Sequence, residues 1–200
     1  NQLACICAAP DGRLYAGTSS GVFSSSDQGN NWIERNQGLA TLDVLDICTD
    51  AAGTAYAATS DGVFKSTNAG ESWSSASGDL PAQWVRSILA ADGRLYAGAS
   101  GLLYLSSDGG SSWVRTCETY INNTVHALRT DASGAVIAAS SSACCRTSDH
   151  GQTWELLGNY LAGSAEVYDI GIDEQGVLYL GVVGNGIQPV DAPSPGRIPR

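Results

Sequence analysis

The sequence predicts an all-β, five-bladed β-propeller of four-stranded antiparallel blades, with the last blade incomplete. Three observations predict it. Trp32, Trp73, Trp113 and Trp154 stand 41, 40 and 41 residues apart. Between them the same order of short strands and turns recurs, and a period of about 40 residues with four strands is the mark of a propeller blade. No stretch combines a 3.6-residue apolar period with helix caps.

Each repeat opens on a β-branched stretch: Leu3 to Ile6, Val44 to Ile47, Val85 to Ile88, Val125 to Leu128 and Val167 to Ile170. A Gly turn follows, then a second strand whose central position is Tyr15, Tyr56, Tyr96, Ile137 and Tyr179. Another Gly turn leads to a third strand, as in Gly21-Val22-Phe23 and Gly62-Val63-Phe64. A turn ending in Trp then leads to the fourth strand. The repeats run over 1–41, 42–82, 83–122, 123–163 and 164–191. A sandwich does not repeat its sequence, and a solenoid of this period carries helices or shorter strand spacings.

The fifth repeat has no Trp and no third turn. The segment 192–200, Ala-Pro-Ser-Pro-Gly-Arg-Ile-Pro-Arg, is Pro-rich and disfavours a central strand. It is expected to form a C-terminal tail beyond the propeller at 1–191. The count is about 19 strands where five full blades hold 20. The second reading is that these are five blades of a larger propeller, truncated or completed by a partner.

The Trp-terminated turns share a pattern. They hold Ser25, Asp27, Gly29 and Trp32; Ser66, Asn68, Gly70 and Trp73; Ser106, Asp108, Gly110 and Trp113; and Thr147, Asp149, Gly151 and Trp154. An Asx-type turn needs a side-chain acceptor near backbone N–H groups and a Gly that tolerates positive φ. Asn68 keeps such an acceptor without the charge. These segments resemble the Asp-box, or BNR repeat, a family shared by sialidases, other glycosidases, sorting-receptor ectodomains, photosystem assembly factors and non-catalytic surface proteins. The resemblance implies that the Asp and Ser fix the turn between the third and fourth strands and that the Trp packs between blades. It makes Asp27, Asp108 and Asp149 turn formers, not catalysts.

Composition limits the function. Ten basic residues stand against 20 acidic ones, with a net charge of −10, so phosphate-driven nucleic-acid binding is excluded. No apolar run is long enough for a membrane-spanning helix. Hydrophobic residues are 43% and charged ones only 15%, enough apolar surface to offset the entropy of ordering. The excess of Gly, Ser and Thr, 24, 24 and 12 residues, is mostly the chemistry of repeated turns. No cofactor motif is present.

Six cysteines, Cys5, Cys7, Cys48, Cys117, Cys144 and Cys145, lack zinc spacing, and no metal site is expected. They suggest an oxidising compartment and structural disulfides, with fifteen connectivities open. The chain starts at Asn1, so a removed leader or an excised piece is expected. Asn122-Asn123-Thr124 is a glycosylation sequon, with Asn122 as the acceptor.

A ligand is expected on the face opposite the Trp-terminated turns. The loops there carry Asp43, Asp61, Asp79, Glu118 and Glu166, with Trp84, Tyr120 and Tyr160. Carboxylates beside aromatic rings suit a neutral glycan. The other reading gives these rings to loop support or a protein contact. A hydrolase needs a carboxylate pair at fixed separation, and carboxylates alone do not show one. The sialidase resemblance is weakened further: Arg197-Ile198-Pro199 follows every box, where that family has R-I-P ahead of the first. Only Arg86 and Arg129 fall on innermost strands. The reading is therefore a secreted or cell-surface, non-catalytic module for binding or self-assembly, associating through its incomplete fifth blade and tail. The alternatives are a glycan-binding module or a sialidase-type hydrolase.

Overall fold

The computed structural model describes residues 2–81, 84–99, 101–121, 123–141, 143–158, 167–173, 176–182 and 186–190. The first blade holds β1 (Leu3–Ala8), β2 (Leu14–Thr18), β3 (Gly21–Ser25) and β4 (Ile33–Glu34). The second holds β5 (Val44–Thr49), β6 (Ala55–Thr59), β7 (Gly62–Ser66) and β8 (Ser74–Ser75). The third holds β9 (Val85–Ala91), β10 (Arg94–Ala99), β11 (Leu102–Ser106) and β12 (Val114–Thr116). The fourth holds β13 (Val125–Thr130), β14 (Val136–Ser140), β15 (Cys144–Thr147) and β16 (Glu155–Gly158). The fifth holds β17 (Val167–Ile172), β18 (Leu178–Val182) and β19 (Gly186–Val190). Each sheet is an antiparallel meander in chain order, four strands wide in the first four blades and three wide in the last. This is the predicted five-bladed propeller with an incomplete fifth blade.

Second strands are apolar on both faces, because each lies between two neighbouring blades. Ala55 to Thr59 of β6 are all buried, as are Val136 to Ser140 of β14. Four apolar clusters result, joining blades one and two, two and three, three and four, and four and five. One site of close approach recurs. The residue opposite the middle of the inner strand is Gly17, Ala58, Gly98 or Ala139. It is small because the next blade's first valine rests on it. A Cβ at Gly17 would lie 2.8 Å from Val44 Cγ1, and one at Gly98 would lie 2.6 Å from Val125 Cβ.

The series does not close. Inner strands pack β1 on β5, β5 on β9, β9 on β13 and β13 on β17, and no comparable packing joins β17 to β1 among the described residues. Val44, Val85, Val125 and Val167 are buried, but the equivalent Leu3 is 54% exposed. Ile47, Ile88, Leu128 and Ile170 are buried, but Ile6 is 58% exposed. Among the described residues the blades form an open arc.

The expected disulfide framework is not found. All six cysteines are free thiols. Cys48, Cys117, Cys144 and Cys145 are buried and pack as small apolar groups, and the blades are joined by tryptophan and valine packing instead. Asn122 and the 192–200 tail lie outside the described residues.

Candidate functional site

The four Trp-terminated turns are built alike. The Ser25 hydroxyl donates to Asp27 Oδ1 at 2.8 Å and accepts the Gly29 N–H at 2.9 Å. Asp27 Oδ1 accepts the Asn31 N–H at 2.9 Å, which folds the chain back. Ser66 and Asn68, Ser106 and Asp108, and Thr147 and Asp149 repeat this arrangement. Gly29, Gly70, Gly110 and Gly151 have φ between 83° and 89°, and each follows a residue that is also at positive φ. The Ser112 side chain and backbone N–H hold Asp108 down at about 2, and Thr153 does the same for Asp149. Asp27 is lowered chiefly by Asn31. These carboxylates are consumed by their own turns.

Each Trp reaches back to the preceding blade. Trp73 Nε1 donates to the Arg35 carbonyl at 2.8 Å, Trp113 Nε1 to the Ala76 carbonyl at 3.1 Å, and Trp154 Nε1 to Thr116 Oγ1 at 2.7 Å. Trp154 also meets Tyr96 edge-on, with ring centroids 6.4 Å apart. No preceding blade packs against Trp32 among the described residues. Its indole bonds to the Gly29 carbonyl of its own turn, and it is 38% exposed.

The inner strands enclose a cavity of about 700 Å³. At its mouth, a further space of about 360 Å³ is lined by Gln2, Leu3, Ser19 and Asp43 together with Ala4, Leu45, Arg86 and His126. Those last four share one origin. Each is the extra residue of a one-residue bulge in its inner strand, and a bulge re-aims the side chain it carries.

The residue after the bulge ties neighbouring blades. Asp46 Oδ2 accepts the Ile88 N–H at 2.9 Å. Ser87 Oγ donates to the Val125 carbonyl at 3.0 Å. Cys5 Sγ accepts the Ile47 N–H. Asp169 takes Arg129 Nη2 at 2.6 Å, an exposed pair joining blades four and five. Burial pushes Asp46 up to about 6, against the two backbone N–H groups it accepts and the charge of Arg129.

The expected ligand residues are not brought together. Asp43 lines the cavity mouth. Asp61 sits in the exposed β6–β7 turn, its N–H on Thr59 Oγ1. Asp79 Oδ1 accepts the Trp113 N–H at 2.7 Å, so it fastens one blade to the next. Trp84 is half exposed and away from the mouth. Glu118 and Tyr120 line a separate groove of about 370 Å³ beside Trp154. Tyr160 and Glu166 lie outside the described residues. A second set of turn carboxylates escaped the sequence reading. Asp50, Asp131 and Asp173 each cap the turn after an inner strand, accepting N–H groups two or four residues on. Their signal was the recurring D-x-x-G.

No family model matches the chain, and no curated protein sequence matches it. Solved structures do. The chain is similar to the extracellular domain of a putative one-component system from B. thetaiotaomicron, at 16% identity and a TM-score of 0.76, over 95% of this chain and 27% of that one. It is similar to YCF48 bound to D1 peptide, at 19% identity and 0.69, over 95% and 65%. It is similar to the GH74 xyloglucanase from Xanthomonas campestris, at 17% identity and 0.70, over 91% and 35%. These likenesses establish the propeller fold. The chain spans less than two thirds of each of these proteins. No helix among the described residues is long and apolar enough to cross a membrane.

Proposed function

We propose that this chain is a non-catalytic Asp-box propeller module of the cell exterior that works by binding protein. One observation carries the reading. Leu3, Ile6 and Trp32 stand at positions that are mostly buried in the other blades, and in blade one each is exposed, Leu3 and Ile6 on the wall of the central cavity. A cluster of exposed apolar side chains on a soluble fold marks an interaction surface. The box carboxylates belong to their turns, which leaves them no role in hydrolysis. The B. thetaiotaomicron likeness supports an extracellular location, and YCF48 bound to D1 peptide is a propeller holding a protein segment. Self-association through the fifth blade and the tail belongs to the same reading.

A glycan-binding or hydrolytic role is the second reading. It is favoured by Asp43 and Arg86 at the cavity mouth and by the likeness to a xyloglucanase. The two are separated by offering xyloglucan and a fluorogenic sialoside to the pure chain, and by placing a photo-crosslinking residue at Ile33, beside Trp32. The proposal expects no turnover and crosslinks to protein. Turnover that is abolished by Asp43→Asn overturns it.

A further inference from the structure

The uncovered edge of blade one has a counterpart in the same chain. The steps between blades one and four are each made by three contacts, and the step from four to five keeps the first of them. The first apolar residue of an inner strand sits on a Gly or Ala of the preceding second strand. The residue after the preceding bulge reaches across to the new inner strand. The new Trp, where the repeat carries one, bonds the preceding fourth strand or the segment that follows it. Blade one offers Leu3, Ile6 and Trp32, on which no other blade packs among the described residues. Blade five offers the opposite half. Gly181 pairs with Asp169, as Gly17 pairs with Cys5 and Gly98 with Ser87. A Cβ on Gly17 or Gly98 would collide with the next blade, whereas among the described residues one on Gly181 meets only the Asp169 backbone, at 3.7 Å. No described side chain fills its socket. The Asp169 carboxylate pairs with Arg129 through Oδ1 and is largely exposed, where the equivalent Asp46 holds the Ile88 N–H through Oδ2.

We infer that the edge of blade one seats blade five of a second copy of this chain. Leu3 enters the Gly181 socket, and Asp169 faces the Ile6 N–H, the equivalent of Ile88. The contact continues an interface that the chain already makes in full three times. It is heterologous, so copies add head to tail and either close as a ring or run on as a helical filament. This rests on the protein-binding reading above and names its partner.

Sedimentation velocity on the full chain over a concentration series tests it. The wild type is expected to form oligomers that grow with concentration. Ile6→Asp blocks the head and Gly181→Leu blocks the socket, so each stays monomeric. Ile6 is 58% exposed and Gly181 meets no described side chain, and an unchanged unfolding midpoint checks that the fold survives. An equal mixture of the two variants retains one live head and one live socket. It is expected to stop at a heterodimer. A wild type that is monomeric at every concentration overturns the inference, and so does Gly181→Leu assembling like the wild type. If that monomer still crosslinks to another protein at Ile33, only the second-copy seat has failed. If it crosslinks to nothing, the binding reading has failed as well.

Discussion

The indole N–H of Trp73 donates to the backbone carbonyl of Arg35 at 2.8 Å, across the boundary between the second blade and the first. That bond assigns the repeated tryptophan its work. It seals a blade to the one before it, as Trp113 and Trp154 do.

Substitutions at the small second-strand position separate sealed steps from the open one. Gly98→Ala places a Cβ 2.4 Å from Ser87 Oγ and 2.6 Å from Val125 Cβ. Overpacking of this kind costs about 1–3 kcal/mol. Gly181→Ala meets no such neighbour and is expected to leave the urea midpoint unchanged or slightly raised. Equal losses at the two sites contradict the open arc.

Asp46 gives stability an unusual dependence on pH. Its carboxyl is raised from 3.8 to about 6 by burial, so the native state holds the proton more tightly than the unfolded chain. Its contribution is whole below the unfolded value and is lost as pH rises through about 6. Asp46→Asn stays uncharged and can still accept an N–H. It is expected to be more stable than the wild type at pH 7.5, by about 1–2 kcal/mol, and equal to it near pH 4. A variant less stable at pH 7.5 counts against this.

The carboxylates of the Trp-terminated turns act in the opposite direction. Asp108 and Asp149 are held near 2 by the hydroxyl and N–H groups they accept, so their contribution is present above 3.8 and lost as pH falls through about 2. Asn68 makes the same turn without a charge, accepting the Ser72 N–H at 3.0 Å. Asp108→Asn should therefore fold normally and show a shallower acid limb in a thermal melt. An unchanged limb argues that these turns do not set acid stability.

The thiols should be nearly inert in the folded chain. Burial pushes Cys5 and Cys144 up to about 12, and the thiolate is the reactive form. Cys145 and Cys117 share one apolar cluster and are hydrogen-bonded to each other. Mass spectrometry after iodoacetamide at pH 8 should show few labelled thiols in the native chain and six after unfolding. Diamide, which takes the two thiol hydrogens, should join Cys117 to Cys145 before any other pair. Full labelling of the native chain contradicts the burial.

Much of the fold was legible because a blade repeats its chemistry. The spacing of the tryptophans, the S-x-D-x-G turns and the Tyr-centred second strands mark the blades directly. The channel was less legible. Ala4, Leu45, Arg86 and His126 occupy one structural position but share no side-chain property, because a bulge fixes where a residue points and not which residue it is. Asp79 looked like a surface carboxylate, and only the adjoining blade shows that it holds the Trp113 N–H. The open edge could not be read at all. Leu3 and Ile6 carry the same apolar pattern as Val44 and Ile47, and their exposure depends on a neighbour outside their own repeat.

The most direct test compares two tryptophans by equilibrium unfolding of dilute, monomeric protein. Trp73 is 5% exposed between two blades, and Trp32 is 38% exposed at the edge. Trp73→Ala is expected to lose about 3–5 kcal/mol, the usual cost of removing a buried aromatic side chain. Trp32→Ala should lose about 1 kcal/mol, in keeping with a partly exposed side chain that touches only its own turn. Equal losses would mean that the first blade is covered within one chain, and the open arc would be wrong.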